Sequence, residues 1–270
     1  MKILISHDVD HLYSKDHWFR DFIYPKLWIR ETFNFLKRRI TFKEWFLRCT
    51  DCFRKERNHI EELMEFDSKH NVPSVFFFGM AKGLGMSYKP DEAKSKISYV
   101  KENGFAVGVH GINFDNQDLI QCEFNTFKKL MCFEPQGIRM HYVRFDENTF
   151  CFLTNAGYLY DSTEFDKAQN GTIKEPYKVG NMWEFPLTIM DGYLPQNFEK
   201  AKEETLKVLD LCKEKKFNYV SILFHDYQFS EAYKDIFEWY KWLIEYIENR
   251  EDFEFCSHID AIKELEVKNV

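Results

Sequence analysis

Short runs of wholly apolar residues alternate with longer stretches in which apolar residues recur every three or four positions, and this rhythm continues along nearly the whole chain. A short apolar run reads as a strand covered on both faces, and a three-to-four repeat reads as a helix lying against it. The first run, Ile3-Leu-Ile5, leads straight into Ser6-His-Asp-Val-Asp-His-Leu12. A helix through Leu63 and Phe66 then precedes a strand over Pro73–Gly79, and a loop with Gly83 and Gly85 leads to a helix near 92–102. Strand 105–111, helix 117–132 and strand 137–142 follow, then a short helix capped by Asp146 and stopped by Gly157. Further strands are expected at 158–162, 182–190 and 218–226. A helix carrying Phe198, Ala201, Thr205, Leu209 and Cys212 precedes the last of these. The clearest stripe, Tyr233, Ile236, Phe237, Tyr240, Leu243, Ile244 and Ile247, predicts a long helix before a strand at 253–258 and a closing helix.

Strands and helices alternating seven or eight times predict an α/β fold, either a parallel barrel or a doubly wound sheet. The polar residues favour the barrel. Asp8, Asp10, His110, Arg139, His141, Asp161 and His225 stand at the ends of different strands, as they would if those ends ringed one pocket. Asp8 and Asp10 draw attention first, because two ionised carboxylates are seldom brought together without a cation or a proton between them.

The interval between the first strand and Ile60 breaks the rhythm. It holds Trp18, Phe19, Phe22, Trp28, Phe33, Phe35, Trp45 and Phe46 among twelve Lys/Arg and six Asp/Glu between Lys15 and Arg57. Two or three helices are expected there, forming an insertion over residues 13–60. Its charge is +6 in a chain whose net charge is −7. One reading is a packed face with solvated charges behind it; another sets aromatic anchors and positive charge against an anionic membrane surface or a lipid-linked substrate.

Composition narrows the class. At 270 residues and 44% hydrophobic, the chain can bury one barrel-sized core, so a single domain over 1–270 is expected. No apolar run approaches the length of a membrane span, and Met1-Lys2 passes directly into strand-like sequence with no secretion signal, which makes a cytoplasmic protein the expectation. Seven scattered cysteines suit a reducing compartment. Cys49 and Cys52 form a C-x-x-C without a second pair, so a helix face is expected there rather than a metal or redox site. The acidic balance argues against nucleic-acid binding.

The order of these motifs resembles the polysaccharide deacetylase family and its NodB-type domain, a distorted (β/α) barrel; about seven parallel strands are then expected here, with the 13–60 insertion after the first. Asp8-Val-Asp10 is similar to the family's first motif, which implies a general base at Asp8 and a metal ligand at Asp10. His110 in Gly-Val-His-Gly matches the first metal-binding histidine. Gly137-Ile-Arg139 resembles the motif whose arginine orients the base. Gly157-Tyr-Leu-Tyr-Asp-Ser162 and Ile222-Leu-Phe-His225 resemble the last two, the second implying a general acid at His225. Asp161 is expected to fix the tautomer of that histidine. The chain looks closest to members lacking secretion signals that accompany bacterial surface-polysaccharide and lipopolysaccharide biosynthesis.

One position departs from the family. A second metal histidine normally follows the first by four residues, and here that residue is Phe114, which has no donor atom. His141 is the chosen replacement, since residues two apart on a strand share a face and Arg139 already faces the site; Asn113, Asp115 and His11 are the other candidates. Asp10, His110 and His141 would hold a divalent metal, Zn or else Co or Ni, with a position left open for water, whose pKa such an ion lowers from 15.7 to about 7. The expected activity is hydrolysis of the amide of an N-acetylated sugar. Two alternatives stand beside it: a carbohydrate-binding or scaffold protein of the same fold that has lost catalysis with its second histidine, and a haloacid-dehalogenase-like phosphatase using Asp8 and Asp10. The second alternative is weakened by Leu12, where that fold places Thr or Val.

Overall fold

The computed structural model describes residues 1–19, 22–168 and 171–268. Its strands are β1 (Lys2–Val9), β2 (Val75–Gly79), β3 (Ala106–Gly111), β4 (Gly137–Met140), β5 (Tyr160–Asp161), β6 (Tyr177–Val179), β7 (Met182–Glu184), β8 (Leu187–Met190), β9 (Tyr219–Leu223) and β10 (Glu254–Phe255). They form one sheet in the order β6-β7-β5-β4-β3-β2-β1-β9-β8, with β10 beside the start of β1. The pairings between them are parallel except in the β6–β7 hairpin.

β7 and β8 are two halves of the run expected as a single strand. Phe185 and Pro186 separate them, since proline brings no N–H to a ladder. The first half pairs with β5 and the second with β9, and a bridge between Phe165 and Leu187 spans the join. The sheet thereby curls into a distorted (β/α) barrel with β1, β2, β3, β4, β5, the β7–β8 run and β9 as its seven parallel staves.

Between β1 and β2 come α1 (Asp16–Phe19), α2 (Ile23–Leu36), α3 (Phe42–Thr50) and α4 (Ile60–Lys69); later helices are α5 (Pro90–Glu102), α6 (Gln117–Met131), α7 (Thr149–Ala156), α8 (Phe198–Glu214), α9 (Lys234–Glu248) and α10 (His258–Lys268). α7 starts later than expected because the Asp146 carboxylate accepts from the Asn148 and Thr149 amides in the turn before it; Gly157, at φ 101°, ends it.

Alternation along β1 divides the core. Ile3, Ile5 and Val9 face the helices and join one large cluster, while Leu4 points into the barrel with Phe77, Tyr160, Trp183, Phe185 and Tyr219. Cys256 and Ala261 close that N-terminal end of the barrel. His7 faces outward as well. Its ring lies 2.9 Å from Asp67 of α4, whose other oxygen accepts from Tyr240 of α9 at 2.7 Å, so this buried histidine ties β1 to two helices. Ser6, Asp8 and Asp10 share the inward face of Leu4, and at the C-terminal end of the barrel apolar packing gives way to chemistry.

Candidate active site

Arg139 reaches the barrel axis from β4 and is completely buried. Its Nε donates to the Ser162 carbonyl at 2.6 Å, one terminal nitrogen to Ser6 Oγ at 2.8 Å and Ser162 Oγ at 2.9 Å, and the other to Asp8 Oδ1 at 3.3 Å. The guanidinium is thus fixed from β1 and the end of β5 and spends its charge on Asp8. A buried carboxylate beside a buried arginine is held in one orientation, as a general base requires.

Asp10 lies just past the end of β1. Its Oδ1 is 3.2 Å from His110 Nε2 and 3.2 Å from His141 Nδ1, and those two nitrogens are 3.0 Å apart. The outer nitrogens settle the tautomers. His110 Nδ1 lies 3.0 Å from the Arg139 carbonyl and His141 Nε2 lies 3.1 Å from the Leu84 carbonyl. A carbonyl only accepts, so each outer nitrogen carries the N–H and each inner one presents a lone pair. Two lone pairs and a carboxylate oxygen therefore converge, and Asp10 Oδ1, although buried, has no hydrogen bond of good geometry. Such a triangle repels itself unless a proton or cation sits within it. Its edges of 3.0–3.2 Å fit three corners of a tetrahedron with metal–ligand bonds of about 2.0–2.1 Å, for which the edge is about 3.3 Å. The residues fit a zinc-type ion. Among the described residues, this is the one group of three or more His, Cys, Asp or Glu close enough to share one.

The electrostatics show the same demand for positive charge within the triangle. Burial pushes the Asp10 carboxyl up, but His110 and His141 outweigh it and hold the group well below the usual carboxylate range. Burial pulls His141 down, yet the Asp10 carboxylate beside it leaves it raised, so the site favours positive charge at that point.

Local backbone explains how His141 arrives. β4 ends at Met140, one residue earlier than the shared-face argument needs, and His141–Val143 form a tight 3-10 turn in which Tyr142 and Val143 take φ 59° and 43°. Non-glycine residues there cost on the order of 1–3 kcal/mol each, an expense usually found at functional sites. The turn sets the Tyr142 ring over His141, centroids 4.0 Å apart. On the other side, the loop through Gly83, Leu84 and Gly85 brings the Leu84 carbonyl to His141; Gly85, at φ 96°, is a conformation few side chains tolerate.

Phe114 stands clear of the triangle, its ring under the Arg144 guanidinium at 4.8 Å. Asn113 is turned away too, its side chain bonded to Glu123 at 2.6 Å. His11 stacks edge-on against His17, centroids 4.5 Å apart, and lies outside the group of three.

His225 follows β9. Its Nδ1 is 2.7 Å from Asp191 Oδ1, its backbone N–H donates to Asp191 Oδ2 at 2.6 Å, and its Nε2 faces the site, 3.8 Å from Asp10 Oδ2. Burial works against the imidazolium, but Asp191 and then Asp10 and Asp8 raise its pKa to about 10. The expected partner, Asp161, does not reach it. Asp161 accepts from Thr163 Oγ1 at 2.6 Å and faces Glu184 across the β5–β7 pairing. Burial lifts Asp161 to about 6 and Glu184 well above the usual range.

Asp191 is the residue the sequence reading missed. It sits one position past β8, the strand beside β9, and also accepts from Gln228 Nε2 at 2.9 Å and the Gly192 amide at 2.6 Å. Sheet order was the signal that could have found it. Val143, Leu187, Met190 and Leu223 form a small apolar cluster apart from the two larger cores.

No family model and no curated protein matches this chain. Solved structures do. A protein described as a polysaccharide deacetylase from Mycobacterium smegmatis superposes over 100% of this chain and 91% of its own, with a TM-score of 0.66 at 15% identity. The PuuE allantoinase superposes over 82% of this chain and 74% of its own, TM-score 0.57 at 16% identity. A protein described as a polysaccharide deacetylase from Pseudomonas aeruginosa PAO1 covers 76% of this chain and 71% of its own, TM-score 0.55 at 16% identity. With its curled parallel sheet and nearly full-length superposition, the chain has the fold of the polysaccharide deacetylases.

Proposed function

We propose that this chain is a metal-dependent hydrolase that removes the acetyl group from an N-acetylated sugar of a surface polysaccharide or its precursor. The carrying observation is the convergence of Asp10, His110 and His141 lone pairs at 3.0–3.2 Å, beside a buried arginine–carboxylate pair and a histidine held by Asp191 at 2.7 Å. On this reading residues 1–270 work as one deacetylase domain, with 13–60 as an insertion. Asp10, His110 and His141 hold the divalent ion, Zn in the first instance, which when bound supplies an acidified water and polarises the amide carbonyl.

The chain's own groups do the rest. Asp8 takes the proton of the attacking water, and Arg139 keeps it ionised and aimed. As the new C–O bond forms and the C–N bond breaks, His225 Nε2 gives its proton to the departing nitrogen, a contribution of roughly 100-fold to 10,000-fold for a well-placed acid. Asp191, in the role expected of Asp161, holds the His225 tautomer and its charge.

Asp8→Asn is the direct test, assayed by amine and acetate release from a panel of N-acetylated sugars. The variant should fold and bind metal with release abolished; retained release removes Asp8 as the base. Metal analysis of protein purified without chelators decides against the scaffold alternative. A site that stays empty with Zn, Co and Ni favours a carbohydrate-binding role.

A further inference from the structure

The segment between β1 and α4 has apolar side chains on two sides. Its inner side is packed: Tyr24, Leu27 and Cys52 are buried, and the Trp28 and Trp18 indoles donate to the Cys49 and Cys52 carbonyls at 2.9 and 3.4 Å. Its outer side is not. Phe22 precedes α2, Ile29, Phe33 and Leu36 run down one stripe of it, Phe42 and Phe46 lie a turn apart on α3, and Phe53 follows; these seven are 52–78% exposed.

Charge on the same two helices is sorted. The acids are turned inward or tied down: Glu31 is buried and held by Arg30 at 2.6 Å and Arg48 at 2.8 Å, and Glu44 closes the Thr41 capping box. Lys26, Lys37, Arg38 and Arg39 are exposed, and Lys43, exposed as well, pairs with Glu231 at 3.0 Å. The helices therefore turn grease and positive charge outward, while the chain as a whole carries −7.

We infer that the α2–α3 hairpin docks this enzyme on an anionic lipid bilayer surface, with the phenylalanines entering the headgroup–acyl boundary and the lysines and arginines meeting lipid phosphates. An exposed apolar patch of this extent is itself a mark of an interaction site, and apolar anchors flanked by cations are the pattern that interfacial helices use. The hairpin leaves from the C-terminal end of β1, at the barrel mouth. A cleft of about 370 Å³, lined among others by Asn34, Arg39, Arg48, Gly192 and Gln228, runs from it to the turn that holds Asp191. The surface itself stands independently of the deacetylase reading.

Flotation of the purified full chain with 1:1 phosphatidylglycerol–phosphatidylcholine vesicles tests this, with pure phosphatidylcholine as the control. Binding should require the anionic lipid and weaken in high salt. Phe33→Ser with Phe46→Ser, and separately Lys37→Glu with Arg38→Glu, should each lower partitioning by about tenfold or more at unchanged melting temperature. Absence of flotation at low salt, equal binding to both vesicles, or a stable dimer in sedimentation that the phenylalanine variant dissolves overturns the inference. Sugar-amide hydrolysis measured alongside in solution keeps the two readings apart: binding without hydrolysis leaves the docking surface standing, and hydrolysis without binding removes it.

Discussion

His225 and Asp191 set the pH response of the molecule. A histidine whose pKa rises from 6.5 unfolded to about 10 folded contributes stability that is complete below about 6.5 and is lost as pH climbs through 10. Metal-free protein should therefore be less stable to urea at pH 10 than at pH 7. Asp191→Asn should flatten that dependence and move the alkaline limb of acetate release to lower pH, with turnover falling about 10-fold to 100-fold. Arg139 tests a different term. Arg139→Met leaves the Asp8 charge buried and unpaired, and a loss of about 3–5 kcal/mol is expected by urea denaturation, partly recovered in the double variant with Asp8→Asn. Most site residues were legible because each closes an apolar run. Asp161 closes one as well, and nothing in its neighbourhood marks it as lying beside Glu184 rather than His225. Asp191, by contrast, opens an Asp-Gly pair that reads as an ordinary turn. A sequence shows that a side chain stands at a strand end; where it stands around the barrel depends on sheet order.

At the scale of elements, the loop after β2 deserves a substitution. Gly85→Ala strains a φ of 96° and should pull the Leu84 carbonyl from His141 Nε2. Outer partners of this kind typically carry 10-fold to 100-fold in metal affinity, so competition with a chelator should show a loss of that size with little change in urea stability. The alternation of strands and helices was plain in the hydrophobic pattern, since burial on both faces leaves little choice of residue. The short β6 strand was not, because three half-exposed residues carry no such pattern, and the division of 182–190 follows from Pro186, whose effect on a ladder can be read but whose two different partner strands cannot. His141 was chosen on the premise that its strand continued to Tyr142; the strand stops at Met140, and the strained turn performs the aiming instead.

For the molecule as a whole, ion binding and folding are linked. The three donors come from residues 10, 110 and 141, and only the folded barrel gathers them. Zinc at about 100 times its dissociation constant should stabilise the protein by roughly 2.7 kcal/mol, which for a chain of this size raises the melting temperature by about 5 °C. Calorimetry with and without metal checks this, and His110→Ala should abolish the shift.

β1 sits in the middle of the sheet, yet two of its neighbours, β9 and β10, follow it only from Tyr219 onward. Ribosomes add roughly 5–20 residues per second, so about 210 residues of waiting means some 10–40 s during which one edge of a greasy ribbon that leads into two acids stands unpaired. Synthesis of this protein therefore leans on whatever shields nascent chains in the cell, and slowing translation should cost it more yield than it costs folds built from consecutive hairpins.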